Sequence, residues 1–193
     1  MARNDGMKKV SVVFLDRDGV INEYPGHYNF VTSVSEFQLI PRAREALARL
    51  CKSGYRLFIV SNQSGVAKGL YNMHTLDQIN DALRQQSGPG VEFDGIYYCI
   101  HAPEQNCSCR KPKTYFIDAA GDKIKRDGYS FDRKKTFFVG DSLIDIETGK
   151  AAGMRTIMVF SGKETPENRQ NWKITPDYTA ADLYDAADII LKE

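Results

Sequence analysis

The chain has 193 residues, 42% of them apolar, and its 26 Lys and Arg are balanced by 25 Asp and Glu for a formal charge of +1. That length and apolar content suit one α/β domain with a real core, residues 1–193. The balanced charge gives no case for nucleic acid or a membrane surface as partner, and no apolar run approaches membrane-spanning length. The polar start, residues 1–9, lacks the apolar segment of a signal peptide, so the expected location is cytoplasmic.

In chain order, residues 11–15 read as a buried strand that stops at two carboxylates, Asp16 and Asp18, followed by Gly19. Residues 41–53 carry Ala43, Ala46, Leu47 and Leu50 at helical spacing, with Pro41 suited to the first turn and Gly54 to the end. A strand over 55–60 runs into the loop Ser61-Asn62-Gln63-Ser64-Gly65, then a helix over 73–86, a turn at 87–90 and a strand over 95–100. Helix 115–126 ends before Gly128. Strand 136–139 leads into Gly140-Asp141-Ser142, helix 143–152 and strand 156–160, and 180–191 is amphipathic. This alternation predicts a mostly parallel sheet with helices on both faces, a Rossmann-like three-layer α/β sandwich.

The strand ends carry chemistry. Acids at the carboxyl end of a parallel strand sit where open sheets place their ligands, and two neighbouring carboxylates repel unless a cation or a proton is shared. The loop from Ser61 has small hydroxyls, amides and a glycine that can cradle phosphate oxygens. Arg110 and Lys111 are two cations beside Pro112. Singly, the acidic and hydroxyl stretches also read as ordinary turns or helix caps, and the two cations as a solvated basic pair. Together they supply acids for a metal, donors and a cation for phosphate, and one acid for proton transfer, which is an inventory for phosphoryl transfer.

The ordered pattern Asp16-Arg17-Asp18-Gly19, Ser61-Asn62, Lys111 and Gly140-Asp141-Ser142 with Asp145 resembles all four motifs of the haloacid dehalogenase superfamily of phosphotransferases. The resemblance implies that Asp16 is the nucleophile and that Asp18 protonates the leaving oxygen and then activates water. It implies Mg²⁺ held by the Asp16 carboxylate, the Asp18 main-chain carbonyl and the Asp141 carboxylate, with Asp145 behind them. Ser61 and Lys111 would hold the transferring phosphoryl group.

Cys99-Ile100-His101 and Cys107-Ser108-Cys109 bring four soft ligands together just before Arg110-Lys111. Tetrahedral Zn²⁺ wants this set, and a closed four-ligand site is structural. Free thiols and disulfides are the alternatives, the latter disfavoured in a cytosolic chain. Cys51, in an apolar helical pattern, reads as a buried thiol. A zinc-binding loop over about 99–109 would aim Arg110 and Lys111.

With the cysteine pattern included, the chain resembles the D-glycero-D-manno-heptose 1,7-bisphosphate 7-phosphatases and the related histidinol-phosphate phosphatases, compact members without a large cap domain. That resemblance implies substrate contacts at Asn62, Arg110, Lys111 and the loop Asn22-Glu23-Tyr24-Pro25-Gly26-His27-Tyr28. Lys68 stands where relatives often have arginine, and Ser142 where some have lysine. The expected activity is removal of the 7-phosphate from a small phosphorylated sugar by a monomer or weak oligomer. Histidinol-phosphate phosphatase, another small sugar-phosphate phosphatase and a non-catalytic sugar-phosphate-binding protein are the alternatives.

Overall fold

The computed structural model describes residues 6–193; residues 1–5 of the polar start lie outside the described residues. Five strands anticipated from the apolar runs are present, the first as expected and the other four with shifted ends. They are β2 (Ser11–Leu15), β3 (Tyr55–Asn62), β4 (Phe93–Cys99), β6 (Phe137–Gly140) and β7 (Arg155–Val159). Short β8 (Tyr178–Ala180) completes a sheet of order β4-β3-β2-β6-β7-β8, parallel throughout. A separate two-stranded sheet pairs β1 (Lys8–Lys9) with β5 (Tyr129–Ser130). The helices are α1 (Ala43–Lys52), α2 (Met73–Ser87), α3 (Tyr115–Arg126), α4 (Leu143–Ala151) and α5 (Leu183–Ile190). Among the described residues no helix is long and apolar enough to cross a membrane.

Side chains alternate across each strand, so one strand serves two cores. Val13, Leu15, Leu57, Ile59, Phe137 and Val139 face the layer holding α1, α2 and α5. Val12, Phe14, Phe58, Val60 and Phe138 face the layer that includes α3. The result is the three-layer α/β sandwich anticipated from the sequence. Between β2 and α1, residues 16–42 contain a 3₁₀ turn at Val34–Glu36 and isolated bridges from Asn22 to Asp18 and Leu39, with no further helix or strand.

Strand order places the site. The chain runs outward from β2 to β3 and β4, then returns across α3 to lay β6 against the other edge of β2. Connections therefore diverge between β2 and β6, and the crevice at such a switch point is where open α/β sheets bind ligands. Asp16 follows β2 and Asp141 follows β6 at that point.

Several boundaries differ from the sequence expectation for local reasons. Pro41 lies outside α1, because Arg42 turns left-handed (φ 66°) and lays its guanidinium over the Tyr184 ring, 3.2 Å from the centroid. Ser61 and Asn62 continue β3, since β4 pairs with them as far as Cys99. The amphipathic stretch from 180 is a strand end followed by α5, whose cap Asp182 accepts from the Asp185 amide at 3.0 Å. Cys51 is only half-buried.

Phe14 is completely buried and stacks between Phe58 (5.4 Å between centroids) and Phe138 (6.3 Å). Phe14→Ala is expected to cost about 3–5 kcal/mol in urea denaturation, the range for emptying an aromatic core position. A loss under about 1 kcal/mol would contradict this packing.

Candidate active site

Lys111 lies at the centre of the site. Its side chain is buried, and its Nζ stands 2.9 Å from Asp16 Oδ1 and 2.6 Å from Asp145 Oδ1. Burial would lower the pKa of this ammonium, but Asp145 and Asp16 together hold it well above its usual range. The backbone on either side of Lys111 is fixed by Asn62. The Asn62 Oδ1 accepts from the Lys111 amide at 3.1 Å, and its Nδ2 donates to the Lys111 carbonyl at 3.3 Å. Asn62 thus lines the pocket with its amide already committed to Lys111.

The carboxylates divide by what covers their oxygens. Asp145 is completely buried; its Oδ1 takes Lys111, and its Oδ2 takes the Ser142 amide (3.1 Å) and hydroxyl (2.5 Å), closing the capping box of α4. Asp16 accepts at Oδ1 from the Arg17 amide (2.8 Å), and Asp141 at Oδ2 from the Lys163 amide (2.8 Å). Among the described residues, Asp16 Oδ2 and Asp141 Oδ1 have no donor.

The three acids bring ligand oxygens within 4.8 Å of one another. Burial pushes the Asp16 carboxyl up to about 6, against the pull of Lys111 and with a further push from Asp145. Burial, then Asp145 and Asp16, push Asp141 well above the carboxylate range. One lysine does not balance three acids, and two uncovered oxygens face the deficit. A hard divalent cation such as Mg²⁺ fits that donor set.

Close approach at Asp141 depends on glycine. Gly19 has φ +80°, and a Cβ on it would fall 2.3 Å from Asp141 Oδ2. The neighbouring loop is tied down by Ser161, whose hydroxyl donates to the Gly19 carbonyl at 2.7 Å.

Asp18 lines the same pocket but is gripped from behind. Its carboxylate accepts from Arg17 Nε (3.1 Å) and Nη2 (2.9 Å), Asn22 Nδ2 (2.9 Å) and Gln63 Nε2 (2.9 Å). Ser61 Oγ accepts from Gln63 Nε2 at 3.0 Å, which leaves its own proton for the pocket it lines. The cavity is about 310 Å³, and Lys68, Arg110 and Lys163 reach it as well as Lys111. Tyr28 stands at its edge, 93% exposed and at φ 63°. Lys163, Arg17 and Gln63 were not singled out from sequence. For Arg17 a signal was available: a cation between two acids in the first motif.

Cys99, at the end of β4, meets His101, Cys107 and Cys109 with all ligand atoms within 4.8 Å. Four of the separations are 3.4–3.6 Å: Cys99 Sγ to Cys107 Sγ and to His101 Nδ1, and Cys109 Sγ to the same two atoms. Zinc tetrahedra have edges of about 3.8 Å between sulfurs and about 3.6 Å between sulfur and nitrogen, so these four residues fit the ion. Burial would raise the Cys107 thiol, but the Cys99 thiol and the Cys109 and Arg110 amides bring it to about 6. Burial pushes Cys99 up to about 12. The Arg110 Nη1 donates to the His101 carbonyl at 3.2 Å, tying the first pocket cation to this cluster.

The HAD-hydrolase-like family model matches residues 108–186. The D-glycero-D-manno-heptose-1,7-bisphosphate 7-phosphatase of Chlorobaculum tepidum is 37% identical over 188 residues, 93% of this chain and 94% of that one. A D-glycero-beta-D-manno-heptose-1,7-bisphosphate 7-phosphatase of Pseudomonas aeruginosa is 36% identical over 79% of this chain and 83% of its own. Among solved structures, the D,D-heptose 1,7-bisphosphate phosphatase of B. bronchiseptica, complexed with magnesium and phosphate, superposes with a TM-score of 0.82 at 30% identity, covering 94% of this chain and 98% of that one.

The raised carboxyls of Asp16 and Asp141 have a stability consequence. A folded-state pKa above the unfolded value means the native state holds extra protons, so the contribution is favourable at low pH. It is lost as pH rises from the ordinary carboxylate range through about 6. In EDTA at pH 7.5, Asp141→Asn is therefore expected to melt roughly 2–4 °C above the parent, with the gap closing towards pH 5. Calorimetry showing the variant less stable at both pH values would refute the charge imbalance.

Proposed function

The chain belongs to the haloacid dehalogenase-like hydrolases, in the family of heptose-1,7-bisphosphate 7-phosphatases, and on that premise we propose that it removes the 7-phosphate of D-glycero-D-manno-heptose 1,7-bisphosphate. The observation that carries this reading is Asp16, held at Oδ1 by buried Lys111 with its Oδ2 left uncovered, in a pocket lined by further cations. In this reading residues 1–193 form one catalytic domain, working as a monomer or weak oligomer in the cytoplasm, where its four free cysteines would stay reduced.

Asp16 Oδ2, which has no protein donor, attacks phosphorus and the bond to the sugar oxygen breaks, giving an aspartyl-phosphate. Lys111 keeps Asp16 oriented through Oδ1 and, with the Ser61 hydroxyl, holds phosphoryl oxygens. Asp18 gives a proton to the departing sugar oxygen, then takes one from the water that hydrolyses the intermediate. Arg110 binds the substrate further out. Asn62 serves the substrate contact by fixing the Lys111 backbone. Asp16, Asp141 and the Asp18 main-chain carbonyl would hold Mg²⁺, with Asp145 positioning Lys111. When bound, the cation neutralises charge on the phosphoryl oxygens and lets Asp16 stay ionised. Cys99, His101, Cys107 and Cys109 would hold a structural Zn²⁺ that stiffens the loop carrying Arg110 and Lys111.

The reading is tested by steady-state hydrolysis of heptose 1,7-bisphosphate and histidinol phosphate. The heptose bisphosphate is expected to have the higher kcat/KM, activity is expected to vanish in EDTA and return with Mg²⁺, and Asp16→Asn is expected to be folded and inactive. A preference for histidinol phosphate would reassign the substrate, and a fully active Asp16→Asn would remove the covalent mechanism.

For zinc, elemental analysis is expected to find about one ion per chain. Cys107→Ser is expected to lose it and to raise KM more than it lowers kcat. A folded, zinc-free parent protein of full activity would refute the structural role.

A further inference from the structure

Gln63 has no part in the scheme above, yet no polar side chain near the pocket is more completely engaged. It is 1% exposed. Its Oε1 accepts from the Tyr71 hydroxyl at 2.7 Å and from Arg17 Nη2 at 3.1 Å, while its Nε2 donates to Asp18 Oδ2 at 2.9 Å and to Ser61 Oγ at 3.0 Å. A carboxamide has two lone pairs and two protons to offer, and all four are used. The orientation is also forced. Arg17 has only protons to give and an ionised Asp18 only lone pairs, so a flipped amide would face donor with donor and acceptor with acceptor.

Tyr71 secures that orientation from the other side. It is buried, and its ring lies so close to Gly65 that a Cβ there would come within 2.2 Å of it. Burial pushes its hydroxyl up to about 12, so it stays protonated and donating.

Asp18 is held by two kinds of contact. Arg17 and Asn22, its neighbours in the chain, grip Oδ1, and Arg17 Nη2 also reaches Oδ2 at 3.1 Å, where Gln63 crosses from the end of β3 to donate as well. Local contacts alone allow the carboxylate to move with its own loop. The Gln63 bond references it to the sheet and to Ser61. Arg17 Nη1 meanwhile is buried with no partner among the described residues, a cost that packing for stability alone would have removed.

We propose that Gln63, oriented by Tyr71 and Arg17, is a positioning residue that fixes the Asp18 carboxylate for proton transfer in both half-reactions. The proposal rests on the reading of Asp18 as the proton carrier. It predicts that loss of Gln63 acts differently on two esters. An alkyl phosphate needs a proton delivered to its leaving oxygen. An aryl phosphate such as 4-nitrophenyl phosphate leaves as a stable phenolate, so only the later attack by water needs Asp18.

The experiment compares Gln63→Leu and Tyr71→Phe with the parent enzyme, all loaded with Mg²⁺ and with melting temperature and zinc content checked. With heptose bisphosphate, Gln63→Leu is expected to lower kcat/KM by about 100-fold, at the low end of general acid–base effects. With 4-nitrophenyl phosphate, kcat/KM is expected to stay within about fivefold. A burst of nitrophenolate and hydroxylamine-sensitive phosphate on the protein should accompany it. Tyr71→Phe, which removes one hydroxyl, is expected to show the same pattern at about tenfold. Equal losses on the two esters without a burst, an effect confined to KM, or parental kinetics in both variants would overturn the proposal. Asp18→Asn is assayed beside them. If it keeps parental rates, the proton-carrier reading fails and takes this proposal with it; if it is inactive while Gln63→Leu is not impaired, the proposal alone fails.

Discussion

The acids at the carboxyl end of the sheet that face Asp16 are organised around a buried lysine. Lys111 sits between Asp16 and Asp145 with its side chain almost wholly removed from solvent. A buried ammonium is expensive unless it is paired and hydrogen-bonded, and deleting one partner leaves an uncompensated charge at a cost of several kcal/mol. The protein therefore has to deliver Lys111 to one place. Asn62 pins its main chain, α4 presents Asp145 through a capping box, and β2 ends at Asp16. In the proposed mechanism a lysine held this way would contact phosphoryl oxygens without reorganising.

Lys111 arrives on a segment with little core of its own. Between β4 and α3 there is one 3₁₀ turn and no strand, and the residues that brace this stretch are the three cysteines, His101 and the Lys113 ammonium on the Asn106 side chain. The cysteine cluster begins at the last residue of β4 and ends two residues before Lys111. A crosslink across it shortens the free chain between the sheet and the buried cation to almost nothing. In the proposed arrangement a soft metal there would order the backbone while a hard metal beside it would handle charge.

Much of this was legible in the sequence, and the remainder fails for identifiable reasons. The five main strands follow from apolar runs, and the site residues from motifs that end them, because strand ends at a switch point concentrate polar groups in short stretches. β8 was missed since three residues on a sheet edge carry no period, and the start of α1 was misplaced because a cation–π contact with Tyr184, far along the chain, outweighs the preference of Pro41 for a first turn. The commitment of Asn62 to a backbone and the network through Gln63 were invisible for a deeper reason. A glutamine reads as a polar loop residue until its four partners, from three separate segments of the chain, are seen around it.

The four acids show how a single residue type is given separate tasks by its surroundings. Asp145 has every oxygen covered and can only hold its neighbours. Asp16 and Asp141 each keep one oxygen uncovered, and burial resists their ionisation until another positive charge arrives. Asp18 is surrounded by donors on the side away from this cluster. Two Asp residues one apart are thus placed in opposite environments, the first facing carboxylates and the second facing a guanidinium and amides. In the proposed mechanism the Asp16 oxygen left uncovered serves as nucleophile and the donor-held Asp18 as proton carrier, a division that the spacing of the pair does not show. Arg17, lying between them in the chain, creates it: its amide supports Asp16 while its side chain turns to Asp18.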